Sequence, residues 1–187
     1  MKTFINPGHH IGVDSGAVNE KYHVCEAQIV KDIAVLLRFY LEAAYVQVEM
    51  LQSDNLLGEN PKYYPVVQTA NGSGADLFVS LHCNSAENRL AHGTETLIYG
   101  SGGKAEKAAS CIQRQLVDSL GTLDRGIKER PGLAVLRGTT MPAVLVEIAF
   151  ISNEDDVNLL MHQKAAIARA IARGITDWER SEATIAV

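Results

Sequence analysis

Four polar side chains stand in or beside apolar patterns that leave little room for them. Glu147 interrupts the run from Ala143 to Phe150, which is otherwise wholly apolar and reads as a central strand. A carboxylate there must be paired, metal-bound or kept protonated by desolvation. His82 follows Leu77-Phe78-Val79-Ser80-Leu81, a nearly continuous apolar run of the kind buried in a parallel sheet. In an open α/β sheet, ligands bind outside the carboxyl ends of the strands, so His82 is a site residue or a capped structural histidine. His9 comes just after another short strand pattern and the break Pro7-Gly8. It is a site residue or a turn histidine bonded to nearby backbone, and the adjacent His10 competes for any role given to it. Glu26 precedes Val30, Ile33 and Leu37 at i+4, i+7 and i+11, so it opens the apolar stripe of a helix. The competing reading is a first-turn acid that complements the helix dipole. Glu20 and His23 are weaker candidates because they lie outside the periodic segment.

His9, Glu26 and His82 together make a two-histidine, one-carboxylate set. Catalytic zinc uses such ligand sets and keeps its fourth position open. A metal held there activates water and polarises a carbonyl. Glu147 remains free to move protons as general base and acid. The chemistry is metal-assisted amide hydrolysis. Cys25 and Cys83 flank two of the candidates, but three cysteines without paired spacing do not make a zinc site or a disulfide framework. Neighbours on a strand also point to opposite faces, which takes Cys83 away from His82. Gly100 to Lys104 looks like the end of a phosphate loop, yet Ala105 stands where Ser or Thr is needed. There is no GxSxG elbow.

The elements that must position these residues alternate between two periods. Strands are expected at Lys2–Asn6, Tyr45–Leu51, Leu77–Leu81, Gly93–Tyr99, Leu133–Leu136 and Pro142–Phe150. Helices are expected at Glu26–Ala44, Pro65–Asn71, Lys104–Leu120 and His162–Trp178, with a further one starting at Glu154 under an Asn153 cap. Ile11–Val24, Gln52–Tyr64 and the charged stretch Gly121–Gly132 read as loops. The alternation predicts an α/β fold with a mostly parallel sheet.

The 187 residues suit a single domain, residues 1–178, with a loose tail over 179–187. A net charge of -5 argues against a nucleic-acid partner. No apolar run approaches the ~20 residues that span a bilayer. Phe4-Ile5 is too short for the core of a cleavable signal peptide.

Four motifs are similar to those of one family. They are Asn6-Pro7-Gly8-His9, Glu26 at the head of the first long helix, Ser80-Leu81-His82-Cys83-Asn84, and Pro142 to Glu147 with Phe150, Ser152 and Asn153 behind it. Over about residues 3 to 178 the chain resembles the zinc-dependent N-acetylmuramoyl-L-alanine amidases of bacterial cell-wall hydrolases and phage endolysins. The resemblance implies a twisted, mostly parallel sheet of about six strands flanked by helices on both faces. It implies one zinc ion held by His9, Glu26 and His82, with Glu147 as the catalytic acid/base, and it selects His9 over His10. The partner it implies is peptidoglycan, cut between the muramic acid lactyl group and L-alanine. Another zinc hydrolase, such as a peptidase or deacetylase, would use similar residues, whereas a non-catalytic wall-binding module would not need all four. Asn6 stands where the family usually has Asp, His10-Ile11 replaces Gly-Gly, and Leu51-Gln52 replaces Thr-Arg. Ser85 to His92 is too short for the blocking insertion of some relatives, which implies an ungated site. A wall enzyme without an export signal fits a phage endolysin made in the host cytoplasm, or a form trimmed of its leader.

Overall fold

Lys2–Pro7 (β1) begins a six-stranded sheet almost at the first residue, and its alternation serves two cores. Ile5 points into the larger core and Phe4 into the smaller one. The computed structural model describes residues 1–185. After a two-residue hairpin of Val18–Asn19 (β2) and Val24–Cys25 (β3), the chain enters Glu26–Ala43 (α1) and Gln47–Met50 (β4). Val66–Gly72 (α2), Leu77–Asn84 (β5), Thr94–Ile98 (β6) and Lys104–Leu120 (α3) follow. Asp124–Glu129 (β7), Ala134–Gly138 (α4), Ala143–Phe150 (β8), Glu154–His162 (α5) and Lys164–Ile185 (α6) complete the described chain.

The strands lie in the order β4-β1-β5-β8-β6-β7. Only the β6–β8 pair is antiparallel; every other pair in this sheet is parallel. Helices cover both faces, but unequally. The long helices α1, α3 and α6 bury Ile33, Leu37, Ile112, Leu116, Ile171 and Ile175 on one face. The other face is covered by α2 and α4, of 7 and 5 residues, which pack Val66, Val67, Val135 and Leu136 over Phe4, Phe78, Leu97 and Leu145. Side chains two residues apart on a strand share a face. On this second face the strands therefore carry His82 and Asn84 beyond Phe78, Glu147 beyond Leu145, and Glu95 before Leu97. That end of the face is the carboxyl edge of β1, β5 and β8.

Four expectations need correction. The charged stretch from Gly121 to Gly132 contains an edge strand, β7. Its only large apolar residue is Ile127, so no alternation marks it, and its cations pair sideways with Glu95 instead. The expected short strand Leu133–Leu136 is the helix α4, and four residues are too few to tell one period from the other. The strand bearing His82 runs on through Asn84, so His82 lies inside it. The expected loose tail continues α6 through residue 185, and residues 186–187 lie outside the described residues. Asn153 caps α5 as expected, its side chain accepting from the amides of Asp155 and Asp156.

Candidate active site and metal centre

Each residue of the proposed set reaches the sheet edge from a different element. His9 follows β1 in a tight turn and has φ of 60°, a left-handed conformation that costs a non-glycine residue energy and collects at functional sites. Its Nδ1 lies 2.6 Å from Asp14 Oδ2 and its Nε2 lies 3.1 Å from Glu26 Oε2. Glu26 is the first residue of α1 and is buried, as its place on the apolar stripe requires. Its Oε1 lies 3.0 Å from His82 Nδ1 and accepts from the Cys83 amide at 2.9 Å, while Oε2 accepts from the Ala17 amide at 3.0 Å. The two imidazole rings meet edge to face at 5.2 Å. One donor atom from each of His9, Glu26 and His82 falls within 4.8 Å of the others.

The backbone around this cluster is glycine where a side chain would collide with it. A Cβ on Gly8 would lie 2.3 Å from the His82 ring. A Cβ on Gly16, whose φ is +63°, would lie 2.6 Å from the His9 ring and 2.7 Å from Glu26 Oε2. Gln52 ties the cluster together from below, donating to the carbonyls of Ala27 at 2.9 Å and Gly8 at 3.3 Å. Asn6 accepts from Ser80 Oγ at 2.9 Å and donates to the Leu51 carbonyl at 3.0 Å. The residues that depart from the family pattern thus bond to the site's scaffold. His10 turns away to Asp54 and the Tyr63 ring.

Glu147 pairs in register with His82 on β5 and with Glu95 on β6. Its Oε2 is buried and has no hydrogen-bond partner. Burial pushes its carboxyl up to about 7; the nearby negative charges of Glu26 and Glu95 add to this, and His82 opposes it. Glu26 behaves oppositely: burial pushes its carboxyl up, but the bonds to His82 and His9 outweigh this and hold it well below the usual range. The bond to Glu26 raises His9 to about 9 against the opposing effect of burial, with Asp14 assisting. Neither Cys83 nor Cys25 joins the described cluster. Cys83 packs in the larger core, where burial pushes its thiol up.

The donor set fits a zinc ion: two imidazoles and a carboxylate held deprotonated, with an unpartnered carboxylate oxygen nearby. Sequence reasoning missed two supporting residues, Asp14 and Glu95, and named Asn84 only as part of a motif. Asp14 orients His9 but sits in an irregular loop with no periodic signal. Asn84 donates to Glu95 Oε1 at 3.1 Å, and Glu95 is held in turn by Arg125 at 2.9 Å and by Lys128. Glu95 is a buried carboxylate inside a strand, as Glu147 is, but its neighbours Thr94 and Thr96 make it look like part of a solvent-facing row.

Two histidines and a carboxylate with donor atoms within 4.8 Å of one another, at the carboxyl edge of an open, mostly parallel sheet, form a group that could hold a metal ion. Residues 3–177 match the N-acetylmuramoyl-L-alanine amidase family, and the chain belongs to it. It is 30% identical over 185 residues to the germination-specific N-acetylmuramoyl-L-alanine amidase of Bacillus subtilis, covering 92% of this chain and 77% of that one. It is 32% identical over 184 residues to the N-acetylmuramoyl-L-alanine amidase LytC of the same organism, covering 95% of this chain and 35% of that one. The chain therefore spans about a third of the length of LytC. Its fold is similar to the catalytic domain of CwlV, an N-acetylmuramoyl-L-alanine amidase from Bacillus (Paenibacillus) polymyxa var. colistinus. The TM-score is 0.83 at 29% identity, over 96% of this chain and 98% of that one.

Proposed function

We propose that the chain is a zinc-dependent peptidoglycan amidase that hydrolyses the amide between the lactyl group of N-acetylmuramic acid and L-alanine. The observation that carries this reading is the cluster of His9, Glu26 and His82 donor atoms within 4.8 Å, with Glu147 paired in register beside His82. His9, Glu26 and His82 would hold the zinc, which when bound lowers the pKa of water and polarises a carbonyl. Asp14 fixes the His9 ring so that Nε2 faces the cluster. Glu147, whose carboxyl is raised to about 7, takes the proton of the attacking water near neutral pH. It then delivers that proton to the alanine nitrogen as the C–N bond breaks. The Glu95–Arg125–Lys128 network keeps a second carboxylate charged beside it. We read residues 1–178 as the catalytic unit, with Trp178 the last residue of its core. The substrate lies outside the membrane, and no described helix is long and apolar enough to cross one.

The test is digestion of purified peptidoglycan followed by mass spectrometry. The expected products are peptides with free N-terminal L-alanine and glycan with intact lactyl groups; cleavage inside the peptide instead would indicate a peptidase. His82→Ala should lose most of its zinc, and full zinc occupancy in that variant would exclude His82 as a ligand.

A further inference from the structure

His82, Glu147 and Glu95 form one row across the sheet. His82 on β5 pairs in register with Glu147 on β8, and Glu147 pairs with Glu95 on β6. Partners directly opposite on antiparallel strands project from the same face with Cβ atoms about 5 Å apart, and like charges there repel. Two carboxylates in one site tend to relieve this by sharing a proton. Here they do not. Among the described residues Glu95 bonds only Asn84, Arg125 and Lys128, and Glu147 Oε2 bonds nothing.

The edge strand β7 is shaped to keep Glu95 occupied. Between the pairs Thr94–Asp124 and Thr96–Ile127, one residue of β6, Glu95, faces two of β7, Arg125 and Gly126. Gly126 takes the extra place with φ of 75°, its amide donating to Asp124 Oδ1 at 2.8 Å. A regular strand would send residues 125 and 128 to opposite faces. The bulge brings both onto Glu95, while Ile127 packs against the larger core. Arg125 donates to Glu95 through Nε at 2.9 Å and to the His92 carbonyl at 3.3 Å, and its guanidinium lies 4.8 Å from the centre of the Phe150 ring. Asn84 completes the set. It comes from β5, on the far side of β8, so its bond to Glu95 Oε1 at 3.1 Å passes over the strand of Glu147. Burial pushes the Glu95 carboxyl up, but the bonds to Lys128 and Arg125 outweigh this and hold it below its usual range.

We propose that Arg125, Lys128 and Asn84 are positioning residues for the reaction: they hold the Glu95 carboxylate to themselves, keep it from bonding Glu147, and so leave Glu147 free to exchange its proton. The inference rests on the amidase reading, in which Glu147 moves that proton. Without the two cations Glu95 takes a proton from solvent and donates it in a hydrogen bond to Glu147 Oε2, its neighbour in register. Glu147 is then tied up as an acceptor and no longer takes the proton of the attacking water.

The test compares two variants of the whole chain, supplied with zinc, in turnover of a soluble muramoyl-peptide. One is Arg125→Met/Lys128→Met, and the other adds Glu95→Met. The double variant should lose about 10–100-fold in kcat, the scale of one hydrogen bond to a charged group, with KM and zinc content near the parent's. The triple variant should recover kcat to within a few-fold of the parent, because no carboxyl remains to bond Glu147. It should fold, since a buried ionic group exchanged as a whole for apolar side chains is tolerated. A merely structural role predicts the reverse order, three substitutions being worse than two. A triple variant as slow as the double would overturn the proposal, as would a double variant that changes KM alone, which would put the cations on the substrate. Should the double variant not fold, the triple decides alone: kcat near the parent's supports the proposal and a tenfold loss overturns it. A crystal structure of the double variant should show oxygens of Glu95 and Glu147 about 2.6 Å apart, and carboxyls that stay apart would overturn the proposal. That distance is read without turnover, so a chain that shows it but releases no N-terminal L-alanine would fail the amidase reading alone.

Discussion

Glu147 Oε2 is buried without a hydrogen-bond partner, while every oxygen of the neighbouring Glu26 is bonded. This asymmetry separates the two acids: Glu26 is held as a charged acceptor and Glu147 is left free to exchange a proton. Glu147→Gln keeps the shape and removes the exchangeable proton. We expect a loss on the order of 10²–10⁴ in wall-digestion rate. Zinc content and melting temperature should stay near the parent's, since removing a buried charge relieves its desolvation. Near-normal digestion by the variant would remove Glu147 from the mechanism, and loss of zinc would make it a ligand. Asp14 acts one step away, through His9 Nδ1. Asp14→Asn should weaken zinc binding by about 10–100-fold, read by chelator competition, because partners of this kind orient the ring and raise its basicity. Unchanged affinity would mean that the His9 ring is held by its backbone alone. His9 and His82 were legible from the sequence because each follows an apolar strand pattern; Asp14 was not, because a loop has no period to violate.

At the scale of elements, the loop from His9 to Cys25 is the part most tightly fitted to the site. Gly16 and Gly12 allow a controlled comparison. Both have positive φ, +63° and +82°, but a Cβ on Gly16 collides with His9 and Glu26 whereas one on Gly12 meets nothing within 4 Å. Gly12→Ala should cost only backbone strain, roughly 1 kcal/mol, and keep its zinc. Gly16→Ala should lose most of its zinc and melt lower than Gly12→Ala. Equal zinc in the two variants, by metal analysis, would show that the loop adjusts without disturbing the ligands. The strongly periodic elements, α1, α3 and β8, fall close to their expected bounds because burial writes a period into the sequence. Edge strand β7 does not, because Ile127 alone of its side chains packs against a core and the rest meet charges and solvent.

For the whole molecule, the proposed zinc would compete with protons for the same atoms. In the metal-free chain His9 is raised to about 9 from 6.5, so its contribution to stability is complete below about pH 6.5 and disappears as pH rises through 9. Glu147, raised to about 7 from 4.5, acts in the same direction, its contribution disappearing between those values. Glu26 is held low, so its contribution is complete above its ordinary value of 4.5 and is lost only in stronger acid. The metal-free chain should therefore melt at progressively lower temperature from about pH 6 to pH 9. On the proposed ligand set zinc would displace the His9 proton, so its binding at pH 7 should release protons, measurable by calorimetry in buffers of different ionisation heat. At a hundredfold excess over its dissociation constant, zinc should add about 2.7 kcal/mol of stability, and chelation should remove it. A melting temperature that is flat from pH 6 to 9 without metal would contradict the His9–Glu26 coupling.

The sequence alone carried the α/β class, the bounds of α1 and α3 and the identities of the four candidate residues. Each of these leaves a trace in local pattern: a period of two or of 3.6, or a charge that interrupts it. Tertiary structure decided everything that depends on which strands are neighbours. The order β4-β1-β5-β8-β6-β7 puts β5 beside β8, and so sets His82 against Glu147 across 65 residues of chain. It also puts β6 between β8 and β7, which gives Glu95 its place beside Glu147 and its cations from an edge strand that has no pattern of its own. The short helices α2 and α4 cover only part of one face, leaving its carboxyl end to the polar residues. The donors around Glu95 come from two other strands, β5 and β7, and no local pattern records such a meeting.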